Sequence, residues 1–395
     1  MILFIIGSFS GINSGAGGHY YSLMHVAREL TVPYKIVVVG DFFPPAYYGE
    51  EDVSFFEVRL GEGVGTRFET VVDTSKIDVV HAYDHISAVY ASKVAVSLKV
   101  PLLVTKAGGP PLPALFSLHK NIVVFHEEDF QFFQKKKFCR PKSLSLIPQR
   151  VSHPGDVSAN RKDPFSRFDD CRVKVIRIAR LDQFYEESIV QAISLVERLE
   201  SVFGEDLVCL AIVGKVNDHK VFQRLKDCAS HHDNVGFFTD DEFVTRASEL
   251  IPFANVVVGT GRSFMEGLSY CKFVFFPVGG SSIPCFATNT TYAKASYKNF
   301  SPRVSVKDGI DPEDAFNFYL KLASSDDGVE MQKKWASETF KLNHSARKGA
   351  EELVSLYKTL KNRERCYNYF FKLLVFKFYA FCKKTKSAIN KMPLS

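Results

Sequence analysis

The sequence predicts an α/β fold made of two doubly wound domains, each with a mainly parallel sheet covered by helices. The chain has 395 residues, 46% of them hydrophobic and 24% charged, which suits a globular protein with two hydrophobic cores. Short apolar runs rich in Val, Ile and Phe alternate with helical patterns, as they do in parallel sheets buried on both faces. This alternation occurs twice, on either side of a polar segment at 152–170 that reads as a linker. We therefore predict domains at 1–160 and 170–345.

The predicted strands are the apolar runs bounded by turn residues. In the first domain they cover 2–6, 34–39, 53–58, 78–81, 102–105 and 121–125, and in the second 173–178, 208–213, 234–238, 255–258 and 273–276. Ligands of such sheets bind beyond the carboxyl ends of the strands. We expect the functional residues at two such edges, facing one another across a cleft.

Segment 256–277 reads VVVGTGRSFMEGLSYCKFVFFP and is the most informative stretch. It predicts a strand, a turn with Gly259 and Gly261, a helix that begins at Arg262 or Ser263, and a second strand. The glycines permit positive φ, and the start of the helix offers free N–H groups and a positive dipole end to an anion. We expect a phosphate-bearing ligand to bind here. The alternative is a turn with a purely structural role.

A glycine-rich loop follows the first strand and contains Gly15, Gly17, Gly18 and His19. The dinucleotide fingerprint would require a glycine at Tyr20, and no GK[ST] follows, so NAD binding and a P-loop are both disfavoured. The loop is expected to direct backbone donors at a ligand, or else to be a structural turn.

Arg180 comes just after the first strand of the second domain, in RIARLDQFYEES. An arginine at the end of a strand can bind a diphosphate through several fixed donors. The alternative is a surface arginine paired to Asp182 or Glu186.

Charge and cysteine content exclude several classes of protein. The net charge of +6 and the pI near 8.7 are modest for this length, so no nucleic-acid partner is expected. Eight scattered cysteines without a CxxC pair argue against a zinc site and a disulfide framework, and favour a reducing cytoplasm. The opening MILFIIG has no basic residues before its apolar run, so we do not expect a signal peptide there. No metal-binding acidic motif is evident in the sequence.

The segment at 366–386 is both aromatic and basic. Lys372 and Lys377 interrupt its apolar run, which makes it a poor transmembrane candidate. Its composition predicts an amphipathic helix that binds an anionic membrane surface, within a tail at 363–395. The alternative is a helix packed on its own protein or on a partner.

Five segments together resemble the glycosyltransferase family 4 enzymes, retaining sugar transferases of the GT-B fold, over roughly residues 1–360. In order along the chain they read GAGGHYYSLMHVAREL, DVVHAYDHISAVYASKVAVSLKVPLLVTKAGG, LIPQRVS, RLDQFYEES and GTGRSFMEGLSYCKFVFF. The resemblance implies two Rossmann-like domains, a closing helix at 346–362 and a nucleotide-sugar donor. It also implies a glycan or lipid-linked acceptor in surface polysaccharide synthesis, with no metal and no cofactor.

The resemblance also assigns roles to individual residues. Arg180 and Glu266 would contact the donor, Glu266 at its ribose or diphosphate, with Lys215 or Arg262 as a second cation. His81 would contact sugar hydroxyls as a third catalytic-site residue, and His19, Asp84 and His85 are further candidates.

Three positions depart from the family pattern: Tyr185 replaces its lysine, Val258 its first glutamate and Ala107 a histidine. These departures predict altered donor contacts. They also leave two alternatives open, a nucleotide-sugar epimerase and a catalytically silent GT-B partner of a glycosyltransferase complex.

Overall fold

The computed structural model describes residues 1–9, 18–59, 62, 73–109, 111, 119–136, 140–152, 161–168, 171–204, 207–360 and 374. The chain forms two compact units. The first contains Met1–Gln149 together with the chain from Ala346, and the second contains Arg150–Ser345. The helix that we predicted as a closing element therefore belongs to the first unit. The predicted membrane-binding tail lies outside the described residues, apart from Leu374.

The strands follow the predicted apolar runs closely. They are β1 Ile2–Ser8, β2 Tyr34–Gly40, β3 Val53–Glu57, β4 Val79–Ala82, β5 Leu102–Lys106, β6 Asn121–Val124, β7 Ser143–Leu146, β8 Val173–Ile178, β9 Val208–Val213, β10 Val235–Phe238, β11 Val256–Val258, β12 Phe273–Phe276 and β13 Cys285–Phe286.

The α-helices are α1 Gly18–Ala27, α2 Ser87–Leu98, α3 Glu127–Lys135, α4 Glu186–Phe203, α5 His219–Cys228, α6 Asp241–Val244, α7 Arg262–Ser269, α8 Asn289–Ser296, α9 Pro312–Ala323, α10 Asp326–Asn343 and α11 Ala346–Thr359. Short 3₁₀ helices cover Pro45–Tyr47, Thr74–Lys76, Ala247–Phe253 and Val306–Asp308.

Each unit is built on one sheet. The first sheet has the order β3-β2-β1-β4-β5-β6-β7, and its strand pairs are parallel. The second has the order β10-β9-β8-β11-β12-β13, with only β13 antiparallel. In each sheet the strand order reverses once, between β1 and β4 and between β8 and β11. The predicted α/β class with two doubly wound sheets is confirmed.

Both faces of each sheet are buried, which explains why the central strands show no polar alternation. In the first unit Leu3 and Ile5 belong to one core, while Phe4 and Ile6 belong to the core on the opposite face. The second unit repeats this arrangement with the neighbouring strands β8 and β9. The carboxyl ends of the central strands are therefore held rigidly, and residues that follow them are well placed to form a site.

Cys171 and Cys209 form a disulfide, which corrects the expectation of unpaired cysteines. Cys171 lies two residues before β8, and Cys209 lies in the adjacent strand β9. Parallel pairing brings together two residues that are 38 positions apart in the sequence, so their spacing did not reveal the bond. The cysteine argument for a reducing compartment is thereby removed.

Candidate active site

The second sheet reverses its strand order between β8 and β11, and two of the predicted site segments follow these strands. Arg180 lies two residues after the end of β8, and Gly259 comes directly after β11. Doubly wound sheets bind ligands at the carboxyl edge beside such a reversal. The topology thus brings together two segments that the sequence analysis had singled out separately.

The Gly259–Gly261 turn has a shape that side chains would disturb. Gly261 has a positive φ of 49° and caps α7, which begins at Arg262 as predicted. A Cβ on Gly259 would lie 2.5 Å from the backbone N and Cα of Phe264, so the turn packs directly on its helix. The Ser263 hydroxyl lies 3.0 Å from the Thr260 N–H, from which it accepts a hydrogen bond, so it shapes the turn. The first N–H groups of α7 are consequently presented at the edge of the sheet.

Two cations lie at the same edge of the second sheet. The Arg180 Nε is 3.3 Å from the Asp182 carboxylate, and its guanidinium lies 5.4 Å from the centre of the Tyr185 ring. Lys215 is exposed, and its carbonyl accepts a hydrogen bond from the Leu181 N–H at 2.9 Å. Arg180 and Lys215 thus belong to adjacent backbone segments beside the glycine turn.

Glu266 is almost fully shielded inside the second unit, with 6% of its surface exposed. Its Oε1 lies 3.3 Å from the Arg262 Nε. Burial raises the pKa of the Glu266 carboxyl, while Arg262 and a hydrogen bond with Ser248 act in the opposite direction. The predicted contact of Glu266 with the donor stays a prediction, and the observed contacts show how the side chain is held.

Arg177 is a functional candidate that the sequence analysis missed. It is fully buried in β8 and donates hydrogen bonds to the Val258 carbonyl at 3.1 Å and to the Ser188 hydroxyl at 2.7 Å. Its Nε has no hydrogen-bond partner within the described residues, and no carboxylate of that part of the chain forms an ion pair with it. Burial lowers the pKa of Arg177 to about 10, so the guanidinium is still charged at neutral pH.

Arg177 contacts both Val258 and Tyr185, two of the positions where the sequence departs from the pattern of the family it resembles. It donates to the carbonyl of Val258, and its guanidinium lies 5.8 Å from the centre of the Tyr185 ring. The same ring is 5.4 Å from the guanidinium of Arg180. A buried positive charge thus lies below the edge that carries the partly buried Arg180 and the exposed Lys215. A basic residue inside the apolar run VKVIRI was the sequence signal for it.

The first sheet has a corresponding edge between β1 and β4, where two of the predicted residues lie. The Asp84 carboxylate accepts hydrogen bonds of 2.7 Å from the N–H groups of Gly7, Ile86 and Ser87, so it is committed to the backbone. The Nε2 of His19 is buried without a hydrogen-bond partner within the described ranges. Burial lowers the pKa of the His19 ring, which is therefore neutral at pH 7.

The glycine-rich loop is described only in part. Gly18 begins α1, and a Cβ there would meet no atom of the described residues within 4 Å. Gly15 and Gly17 lie outside the described residues, so their predicted contact with a ligand stays a prediction.

A buried ion pair shapes the loop after β5. The Lys106 Nζ lies 2.7 Å from the Asp129 carboxylate, and it donates to the carbonyls of Gly108 at 2.7 Å and Gly109 at 3.0 Å. Both glycines have a positive φ. His126 lies 3.0 Å from the same carboxylate. The members of this network come from two separate segments, so no local sequence pattern predicted it.

His81 was predicted to contact a sugar, and the structure corrects this prediction. The residue is fully buried in β4, with Nδ1 2.7 Å from the Tyr357 hydroxyl and Nε2 2.7 Å from the Thr105 hydroxyl. Burial lowers the pKa of His81 to about 3. Both ring nitrogens are occupied within the first unit, so we assign His81 a structural role that joins α11 to the sheet.

Two features are absent from the described residues, a metal-binding cluster and a membrane-spanning helix. Among those residues, no group of three His, Cys, Asp or Glu side chains is arranged to hold a metal ion. In that same part of the chain, no helix combines the length and the apolar character needed to cross a bilayer.

Comparison with known proteins identifies the fold. No family model and no curated protein sequence matches the chain. The structure of HepE from Anabaena with UDP-glucose has a TM-score of 0.60 and 13% sequence identity. The match covers 91% of this chain and 100% of the HepE chain. A glycosyltransferase from Rickettsia africae has a TM-score of 0.57 and 13% sequence identity, and the match covers 91% of this chain and 99% of the Rickettsia chain. The chain has the GT-B fold.

A third structure with the same fold is UDP-GlcNAc 2-epimerase from Neisseria meningitidis bound to UDP-GlcNAc. It has a TM-score of 0.52 and 12% sequence identity, and the match covers 91% of this chain and 100% of the epimerase chain. At these identities the likeness concerns the fold, and the chemistry has to be argued from the residues of this chain.

Proposed function

We propose that the protein is a retaining, metal-independent glycosyltransferase. It would move a sugar from a nucleotide-sugar donor to a glycan or a lipid-linked acceptor in surface polysaccharide synthesis. The observation that carries this proposal is the carboxyl edge of the second sheet, where the Gly259–Gly261 turn, Arg180 and Lys215 lie beside the reversal in strand order. Two of the compared GT-B structures contain UDP-glucose or UDP-GlcNAc, which supports a donor of this class.

The chemistry needs stabilisation of the leaving group. The bond between the anomeric carbon and the diphosphate breaks, and negative charge develops on the departing nucleoside diphosphate. Arg180, Lys215 and the first N–H groups of α7 would stabilise that charge, and the buried Arg177 would add a fixed positive charge behind them. In the proposed retaining reaction the acceptor oxygen forms its bond to the anomeric carbon on the face that the diphosphate leaves, and the hydroxyl proton passes to the departing diphosphate.

Glu266 has a positioning role in this proposal. It holds the Arg262 side chain on the first turn of α7, and burial has raised its pKa. The neutral ring of His19 in the first unit suits an acceptor or a sugar hydroxyl better than a phosphate, because it carries no charge.

Release of nucleotide from a panel of UDP-, GDP- and CMP-sugars tests the donor site. Arg180→Ala should lower the rate about a hundredfold, because loss of one preorganised donor costs ~3 kcal/mol. Arg198→Ala is a matched control, since Arg198 also pairs with a carboxylate, that of Glu313, and lies 5.6 Å from the ring of Phe316. An equal loss in both variants would contradict the assignment of Arg180.

Excess EDTA tests metal independence. The wild-type rate of nucleotide release should be unchanged after chelation. A full loss that magnesium restores would overturn this part of the proposal.

Membrane association is a separate part of the proposal and concerns the tail. Deletion of 363–395, which removes the basic aromatic segment 366–386, should move the protein from sedimented anionic liposomes to the supernatant. Deletion without any change in sedimentation would refute membrane binding by this segment.

An epimerase is the second candidate, since the Neisseria structure shares the fold. It would convert a nucleotide sugar into its epimer without releasing nucleotide, so product analysis of the same panel separates the two activities. A catalytically silent partner is the third reading, which Tyr185 and Val258 favour. Such a partner would bind a nucleotide sugar without converting it into a product.

A further inference from the structure

A cavity lies in the second unit, away from the edge that carries the glycine turn. It has a volume of about 660 Å³ and is bordered by the start of α8 and by helices α9 and α10. The Ala287 N–H donates to the Val274 carbonyl, and the Gln332 amide reaches the Lys272 carbonyl at the start of β12. The cavity therefore lies at the amino edge of the sheet, opposite Gly259.

Trp335 forms a fixed aromatic wall of this cavity. Its indole N–H donates to the Asn289 side-chain oxygen. Its ring meets Tyr292 edge-on, with ring centres 6.1 Å apart and planes at 87°. The Tyr292 hydroxyl is in turn 2.8 Å from the Nε2 of His344. The orientation of the indole is thus set before any ligand arrives.

The rest of the cavity lining combines exposed apolar side chains with polar side chains that have no hydrogen-bond partner within the described residues. Phe318 is 44% exposed and Met331 is 63% exposed. The side-chain groups of Asp314, Asn317 and Lys321 make no hydrogen bond or ion pair within the described part of the chain. Asp314 and Lys321 carry opposite charges, so this lining does not favour a strongly charged ligand.

We propose that this cavity binds an uncharged carbohydrate, as a second glycan site of the protein. A pyranose ring has an apolar C–H face, which matches the fixed indole and Phe318, and hydroxyls around its rim, which need both donors and acceptors. Asn317, Asp314 and Lys321 supply both. The volume lies within the range of small-molecule sites, ~300–1,000 Å³. Identification of this glycan as part of the acceptor rests on the proposed function, while carbohydrate binding itself does not.

Trp335 is the only tryptophan of the chain, so its fluorescence reports on this cavity alone. We would titrate the full chain with maltotetraose, cellotetraose and chitotetraose, and with tetragalacturonate as an anionic counterpart. At least one neutral oligosaccharide should produce a saturable change in emission that UDP does not produce. No change with any neutral oligosaccharide, confirmed by calorimetry, would overturn the proposal, as would tighter binding of tetragalacturonate.

Variants of the lining test the site directly. Phe318→Ala and Met331→Ala should each weaken oligosaccharide binding, Phe318→Ala by about five- to tenfold because an aromatic contact is lost. Leu342→Ala is the matched control, since Leu342 lies on the same helix as Met331, is 61% exposed and does not line the cavity. Equal weakening by Leu342→Ala and Met331→Ala would refute the site.

Arg180→Ala separates this inference from the proposed function. The variant should keep the fluorescence response to the oligosaccharide while losing nucleotide release. Oligosaccharide binding by a wild-type protein that turns over no nucleotide sugar would support the cavity and refute the transferase. Loss of the fluorescence response in Arg180→Ala would contradict a site at the opposite edge of the sheet.

Discussion

Each sheet buries one basic side chain on a strand that borders its reversal in strand order, and the two differ in charge. His81 on β4 has both ring nitrogens hydrogen-bonded, and burial lowers its pKa to about 3. Arg177 on β8 keeps its charge, because its pKa falls only to about 10. Burial disfavours the charged form of both groups, but only histidine can lose its proton near neutral pH.

This difference gives the two carboxyl edges different chemistry. The edge of the first sheet carries the neutral His19 and an aspartate that is committed to backbone N–H groups. The edge of the second sheet carries a glycine turn, the partly buried Arg180 and the exposed Lys215 above a buried guanidinium. One topology thus supports an edge suited to neutral groups and another suited to an anion, and four predictions test the contrast.

The largest effect is expected from Gly259→Ala. The added Cβ would lie 2.5 Å from the backbone of Phe264, which cannot yield as a flexible side chain can. We expect a loss of roughly 2–3 kcal/mol in the free energy of unfolding, measured in urea, together with a displaced turn and loss of donor binding.

Gly18→Ala provides the matched comparison in the first unit. Within the described part of the chain a Cβ there meets no atom within 4 Å, and alanine favours a helix, so the free energy of unfolding should stay the same or rise by up to ~1 kcal/mol. Equal destabilisation by the two substitutions would show that the Gly259 turn is not specially constrained.

The second prediction concerns His81 and pH. Because its folded-state pKa lies below its unfolded value, the unfolded chain binds the proton first as the pH falls, and stability is lost from about pH 6.5 downwards. Between pH 6.5 and 4.5 this residue should remove about 2 kcal/mol from the free energy of unfolding. His81→Gln should lack that part of the pH dependence. Identical pH profiles for both proteins would show that His81 is not buried as a neutral base.

The sequence predicted what depends on local periodicity. Strands β8, β9 and β12 and the start of α7 fall where the apolar runs and the Gly-Thr-Gly turn placed them. It did not predict β7, whose SLSL alternates polar residues at a sheet edge, nor the two-residue strand β13.

Properties that depend on tertiary neighbours were also missed. His81 stands in a strand that could be buried or could end at a site, and its partner Tyr357 is 276 positions away. The basic residue inside the apolar run VKVIRI was the local signal for Arg177, but its hydrogen-bond partners come from β11 and α4, so the sequence alone did not reveal how the guanidinium is held.

The third prediction is that Arg177→Met weakens donor binding without weakening the fold. No carboxylate within the described residues forms an ion pair with this guanidinium, so an apolar side chain of similar length relieves the cost of burying a charge. Affinity for a nucleoside diphosphate should fall about tenfold, ~1.4 kcal/mol, while affinity for the nucleoside alone should not change. Arg177→Lys should restore part of the loss. Equal weakening for the nucleoside would point to a structural role only.

The smallest effect is expected at Tyr185, whose ring lies near both Arg177 and Arg180. A guanidinium over an aromatic ring contributes about 0.5–1 kcal/mol at a partly exposed site, so Tyr185→Leu should lower donor affinity two- to fivefold. Phe184→Leu is the control, because Phe184 is 53% exposed and contacts the ring of Tyr185 edge-on. Calorimetry with the nucleoside diphosphate measures both variants. If Phe184→Leu lowers the affinity as much as Tyr185→Leu, general packing explains the loss, and the positioning of Arg180 by the tyrosine ring is refuted.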